Sequence, residues 1–211
     1  MQKRAVLVCN GNVNTKFLFS HIKKDDFLIA VDGGANKLAK TQLKPEIIIG
    51  DMDSITKESK KRFKESKFLE FPKEKDQVDL ELALEYCTKN GFKEILILGA
   101  IGSRFDMSMT NVFLLSQIPK NVKTKIFHKN QEIYLLPKKS SIDGTPGEKI
   151  SFFPIKEGVK DLTLKGFKYE LQNHHLKFGT GKGLSNQFKN KKTLISFSDG
   201  MLLCVHFKNW F

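Results

Sequence analysis

Between Ala5 and His128, short apolar runs rich in β-branched residues alternate with helical stretches, and most of the runs end directly in an acidic or glycine turn. Phe27–Val31 leads into Asp32-Gly33-Gly34, Ile47–Ile49 into Gly50-Asp51-Met52-Asp53-Ser54, and Ile95–Leu98 into Gly99-Ala100-Ile101-Gly102-Ser103-Arg104-Phe105-Asp106. A fourth acidic motif, Asp76-Gln77-Val78-Asp79, opens a helical stretch. Short continuous apolar runs read as strands of a parallel sheet buried on both faces. Ligands of such a sheet bind beyond the carboxyl ends of its strands, where these aspartates fall. Carboxylates gathered in one crevice repel each other and call for a cation. A hard, oxygen-seeking ion such as Mg2+ fits, commonly carried with phosphates. The pattern points to phosphoryl chemistry.

The remaining elements follow from the same signals. Ala5–Cys9 reads as the first strand, ending at Asn10-Gly11-Asn12, and Phe68–Phe71 and Lys125–His128 as further strands. Helices are predicted near Asn36–Gln42, Lys57–Ser66, Val78–Thr88 and Met107–Gln117. In the third of these Val78, Leu82 and Tyr86 share a face, and Asn90-Gly91 stops it. From about residue 131 no long helical period is found. Short runs (Glu132–Leu136, Lys149–Pro154, Asp161–Leu164, Leu176–Phe178, Thr193–Phe197 and Met201–Phe207) are separated by glycine turns, the composition of a small antiparallel sandwich. The expected class is therefore α/β: a Rossmann-like parallel-sheet domain over residues 1–136, then an antiparallel β-sandwich domain over 137–211.

A net charge of +13 raises the question of nucleic acid. The charge comes from 33 lysines scattered along the chain against 3 arginines, Arg4, Arg62 and Arg104. Base and phosphate recognition favours the arginine fork, so no nucleic-acid partner is expected. Cys9, Cys87 and Cys204 lie in apolar stretches without metal-ligand spacing, as buried thiols of a reducing compartment do. The run after Lys3-Arg4 is too short for a signal peptide, and nothing reaches membrane-spanning length, so a cytoplasmic protein with no membrane partner is expected.

Each motif also has a plain structural reading. Asp51 and Asp53 two apart in an extended backbone point the same way and could share one ion, yet an Asp-rich turn capped by Ser54 would look alike. Asp76 and Asp79 fit the positive end of a helix with no ligand at all. The glycines of Gly33-Gly34 allow close backbone approach, and Gly99, Gly102, Ser103 and Arg104 suit a phosphate, although a tight turn needs glycine too. The five histidines lack metal-ligand spacing and read as structural or surface residues.

Taken in order, the motifs resemble those of the thiamine pyrophosphokinase family: Asp32–Ala35, Gly50–Ser54, Asp76–Asp79 and Gly99–Met107, followed by Gly166-Phe167-Lys168-Tyr169 and Gly183-Leu184-Ser185-Asn186. The resemblance spans nearly the whole chain. It departs at Val78, where the family carries Thr, and at Met107, where it carries His. It implies binding of Mg–ATP in the crevice of the first domain and attack of the hydroxyethyl oxygen of thiamine on the β-phosphorus, with AMP released. It further implies that Asp51, Asp53 and Asp79 hold Mg2+, with Asp76 close by. Gly33, Gly34, Gly99, Gly102, Ser103 and Arg104 then hold phosphates. Asp32 and Asp106 line the crevice, Asp106 toward thiamine, and Tyr169, Ser185 and Asn186 belong to the thiamine pocket. A homodimer with that pocket at the subunit interface is implied as well. The rival readings are a diphosphokinase acting on a pterin alcohol, which should lack Tyr169 and Ser185-Asn186, and a lysine-rich nucleic-acid-binding protein.

Overall fold

Strands β1 (Ala5–Val8), β2 (Phe27–Val31), β3 (Ile47–Gly50), β4 (Lys67–Glu70), β5 (Glu94–Leu98) and β6 (Lys123–His128) pair in parallel in the order β4-β3-β2-β1-β5-β6. The computed structural model describes residues 4–208, so the outermost residues of both expected domains lie outside it. Every residue of β1 and β3 is buried, which is why these runs carry no polar alternation. Helices α1 (Thr15–His21), α2 (Gly34–Leu38), α3 (Lys57–Arg62), α4 (Asp79–Lys89) and α5 (Phe105–Phe113) connect them, the last continued by a 3-10 turn over Leu114–Gln117. Leu18, Leu38 and Phe63 bury against Val6, Leu28 and Ile48 in one core. The strand order reverses between β1 and β5, and a sheet of this kind opens a ligand crevice beyond the carboxyl ends of its strands.

One helix departs from the sequence reading. No element was expected between Cys9 and Phe27, yet α1 forms there, with the Asn14 side chain accepting from Phe17 N–H at 2.8 Å as its N-cap. Leu18 is the one fully buried residue of α1, with Phe17 and the flanking Val13 and Ile22 packed against the same core, but the helix spans only seven residues and gives a short signal. Arg4 ties this region down by an ion pair to the buried Asp26, both guanidinium contacts being charge-assisted hydrogen bonds.

The second unit is antiparallel throughout its described strands: β7 (Gln131–Leu136), β8 (Lys139–Ser140), β9 (Lys149–Lys165), β10 (Leu171–Lys177), β11 (Asn186–Gln187), β12 (Leu194–Ser196) and β13 (Asp199–Phe207). β13 pairs with β7 and β9, β9 with β10, β11 and β12, and β12 with β8. Residue contacts divide the chain between Lys129 and Asn130, earlier than the expected 136/137, because Gln131–Leu136 is hydrogen-bonded along its length to β13. The two runs expected at Lys149–Pro154 and Asp161–Leu164 are one strand of 17 residues. Lys156, Gly158 and Asp161, all at positive φ, bend it where the sequence reading ended one strand and began the next. Phe152, Phe167 and Phe188 fill the core below it, with ring centroids 5.4 and 5.3 Å apart.

Cys9, Cys87 and Cys204 are buried thiols outside any disulfide, and burial pushes Cys9 and Cys87 up to about 12. No helix among the described residues is long and apolar enough to cross a membrane.

His206 sits in the sandwich interior, Nε2 3.1 Å from Glu148 Oε2, with Lys208 3.7 Å from the same oxygen and Phe188 stacked at 4.8 Å. Burial lowers the His206 pKa below 6.5, and the Glu148 carboxylate only partly opposes this, with Glu132 also nearby and Lys208 acting in the same direction as burial. A histidine held neutral in the fold takes up a proton more readily once unfolded. Stability is then full above pH 6.5 and declines as pH falls below it. Glu148, held below 4.5 by the Thr145 N–H and by His206 against the opposing pull of burial, adds a second loss at lower pH. The melting temperature is expected to drop between pH 7 and about pH 5.5, and the His206 ring proton followed by NMR should titrate below 6.5. A titration at or above that value refutes this account.

Candidate active site

At the end of β2 the chain turns sharply. Asp32 adopts φ 43°, a conformation that short polar residues tolerate, while its N–H still donates to Ile49 O at 2.7 Å. The turn works because its neighbours lack side chains. A Cβ on Gly34 would lie 1.8 Å from Val8 O, and one on Gly50 (φ +152°) 2.8 Å from Asp32 Cβ. Asp32 is thereby pressed against the end of β3, where Asp51 follows. Asp79 opens α4, whose N-cap Val78 offers no side-chain cap. Carboxylate oxygens of Asp32, Asp51 and Asp79 lie within 4.8 Å of one another.

Two atoms of this cluster are conspicuous. Asp32 Oδ1 and Asp79 Oδ1 are buried yet accept no directed hydrogen bond. Lys75 Nζ stands 3.0 Å from Asp79 Oδ1, at ion-pair distance but off hydrogen-bond geometry. Burial raises the Asp79 pKa, Lys75 offsets part of this, and Asp32 and Asp51 add repulsion. Three converging carboxylates, two of them with an unfulfilled acceptor, could hold a hard divalent cation. Cys9 lies near Asp79, whose charge adds to burial in keeping the thiol protonated, so it is no nucleophile at neutral pH.

The other expected residues fall as follows. Asp53 is not one of the three carboxylates that meet within 4.8 Å, although its carboxyl lies beside that of Asp51. It accepts from Ser54 Oγ at 2.9 Å, and Lys73 at 2.9 Å holds its carboxyl below the usual range. Met52, between Asp51 and Asp53, has φ 64°, so the backbone there is not the extended one the spacing suggested. Asp32, assigned to the crevice wall, stands in the place of Asp53. Asp76 is exposed in the loop before α4. Gly99 and Gly102 form a turn zipped to the exit of β1 by Gly11 N–H to Gly99 O and Asn12 N–H to Ile101 O, both 2.8 Å. The Gly102 N–H donates to Ser108 Oγ at 3.1 Å and so is taken. Ser103 and Arg104 are the exposed groups of that segment, and Arg104 forms an exposed two-point ion pair with Asp106. Neither Lys73 nor Lys75 was singled out in the sequence, where nothing separates them from the other lysines.

In the second unit Tyr169 is 57% exposed, with Lys168 Nζ 5.5 Å above its ring. It does not fill the sandwich core. Asn186 is buried, and its amide is consumed by backbone: Nδ2 donates to Tyr169 O at 2.7 Å, and Oδ1 accepts from Tyr169 N at 3.0 Å and Gln187 N at 2.9 Å. Asn186 therefore ties down the backbone of Tyr169. Ser185 is exposed at φ 53°, its N–H on Ser151 Oγ. Gly183 before it packs so closely that a Cβ would lie 2.1 Å from Phe152 O.

Comparison with known proteins bears on both units. Residues 19–128 match the family model described as thiamin pyrophosphokinase, catalytic domain, and residues 135–202 match thiamin pyrophosphokinase, vitamin B1 binding domain. The thiamine pyrophosphokinase of Bacillus subtilis (strain 168) is 32% identical over 182 residues, covering 84% of this chain and 85% of that protein. The chain belongs to the thiamin pyrophosphokinase family. It is an enzyme of the diphosphate-transferring class. The crystal structure of the Bacillus subtilis protein superposes with a TM-score of 0.87 at 29% identity, covering 98% of this chain and 100% of that one. That of the Geobacillus thermodenitrificans protein gives 0.84 at 27%, covering 98% of each. The family models meet the chain on either side of the division between its two units, one ending at 128 and the next starting at 135.

Proposed function

We propose that this enzyme transfers the pyrophosphoryl group of ATP to the hydroxyethyl oxygen of thiamine, giving thiamine diphosphate and AMP, with Mg2+ as the cation. The observation that carries the reading is the convergence of Asp32, Asp51 and Asp79 at the carboxyl ends of β2 and β3, in a chain whose second unit matches a vitamin B1 binding domain. That second unit favours thiamine over a pterin alcohol. When bound, the cation neutralises phosphate charge at the reacting phosphorus. Asp32, Asp51 and Asp79 fix its position, and Asp53 is one weakly held, exposed ion pair away from joining them. Arg104, whose planar fork suits a phosphate, would exchange Asp106 for it. Transfers of this kind depend on in-line placement and charge neutralisation more than on covalent chemistry by the protein. Tyr169 offers an exposed aromatic face to the cationic thiazolium or the electron-poor pyrimidine.

The test is product analysis. ATP with Mg2+ and thiamine should yield AMP and thiamine diphosphate, whereas a pterin alcohol or RNA in place of thiamine should yield neither. Formation of ADP, or AMP release independent of thiamine, would sink the reading.

The reading includes a homodimer. Phe105, Met109 and Phe113 lie one turn apart along α5 and are all exposed, an apolar stripe that helices ordinarily cover. A two-fold partner would cover it twice over. Sedimentation at micromolar concentration should give about twice 24.1 kDa; a fully active monomer refutes the pairing. The reading also places the enzyme in the cytoplasm, supported by the three buried thiols outside any disulfide.

A further inference from the structure

We propose that Lys75 is a displaceable counter-ion of the acid cluster: it stands against Asp79 until the divalent cation loads, then turns to the phosphates of the nucleotide. The proposal rests on the pyrophosphokinase reading of the same site and assigns it a further positioning residue.

Lysine is rarely buried without a reason, yet the Lys75 side chain is only 15% exposed. Its place is not explained by the helix it precedes. A cation beside the first turn of α4 opposes the helix dipole, which favours negative charge there. The approach of Lys75 to Asp79 Oδ1, at 3.0 Å, is an ion pair that offsets part of the cost of burying that carboxylate. Its directed bond runs to Pro72 O, at 3.2 Å, within its own loop. Lys73, two residues earlier, pairs with Asp53 at 2.9 Å on the surface. The loop Pro72–Lys75 thus sets one ammonium against each of two acids at the end of the sheet.

The charges account for the arrangement. Asp32, Asp51 and Asp79 with Lys75 leave two formal negative charges, which one divalent cation cancels. Once Asp79 Oδ1 is given to that cation, like-charge repulsion drives the ammonium off. The polyphosphate that arrives with the cation is more negative than one divalent ion can balance. A lysine already tethered at the cluster's edge is the nearest group able to meet it, at little cost in ordering.

The test uses the metal-depleted full chain with Mn2+ as probe and no nucleotide, free Mn2+ being read by electron paramagnetic resonance. Lys75→Met should bind Mn2+ about tenfold more tightly than the wild type, since a competitor is gone, within the usual range of coupling between two sites. At saturating cation, the same variant should raise the Michaelis constant for ATP about tenfold, and Lys75→Arg should fall between. In the wild type, acetylation of Lys75 followed by mass spectrometry should increase on adding Mn2+ and fall again with a non-hydrolysable ATP analogue, a readout that survives if the Met variant fails to fold. Unchanged Mn2+ affinity in Lys75→Met, or a lower melting temperature with both affinities intact, makes Lys75 a structural ion pair and overturns the proposal. A wild-type chain that takes up no Mn2+, and titrates as Asp79→Asn does, overturns the site reading itself.

Discussion

Asp32→Asn, Asp51→Asn and Asp79→Asn should each lower turnover at least about a hundredfold, because loss of one preorganised electrostatic stabiliser costs about 2.7–4 kcal/mol of the barrier. The fold should survive all three. Burial raises the folded pKa of Asp79, so the ionised side chain is disfavoured in the native state, and the cost is present above that pKa and relieved as pH falls through it. Asparagine removes the charge permanently, so the metal-free variant should melt no lower than the wild type at pH 7. Added Mg2+ should raise the melting temperature of the wild type, through binding to the native state alone, and not that of the variant. Near-normal turnover in all three variants would dismiss the cluster as a metal site. Asp32→Asn is the most informative, since the family motifs pointed to Asp53 and the geometry to Asp32.

That difference shows where the sequence ceased to speak. The parallel sheet was legible because β1, β2, β3 and β5 are buried runs, and burial on both faces leaves an unbroken apolar signal. The position of the acids at strand ends followed from the same runs. Which acids meet did not, because it depends on the tight turns at Asp32, Gly50 and Met52, all at positive φ, which no side-chain pattern encodes. The long strand β9 looked like two because its bend is built from residues that usually end strands. α1 was missed because seven residues are too few to establish a helical period. Lys75 was hidden by composition: in a chain of 33 lysines, only burial separates the one that faces a carboxylate cluster from those facing water. For the residues proposed to meet thiamine, the sequence stopped short of their separate places in the fold. Tyr169, Ser185 and Asn186 were named together, but the sequence could not divide them into one exposed aromatic and the buried amide that holds it.

That division sets the second large effect, on Tyr169 and Asn186 as a pair. Tyr169→Leu removes an exposed face and no core packing, so thiamine affinity should fall about tenfold, for about 1–2 kcal/mol of stacking and cation–π energy. Its melting temperature and its Michaelis constant for ATP should hold, and Tyr169→Phe should be nearly silent. Asn186→Ala acts on the same ring from behind. It strips the part-buried Tyr169 N–H and C=O of their partner, and a typical hydrogen bond contributes about 0.5–1.5 kcal/mol. The melting temperature should therefore drop by several degrees, and thiamine affinity should fall at least as far as in Tyr169→Leu, since the ring is no longer held. In the double variant the two losses of affinity should fall short of additive, because Asn186 has nothing left to position once the ring is gone. Fully additive losses would mean that Asn186 touches thiamine directly. A lowered melting temperature in Tyr169→Leu with thiamine affinity intact would move the pocket elsewhere on the sandwich.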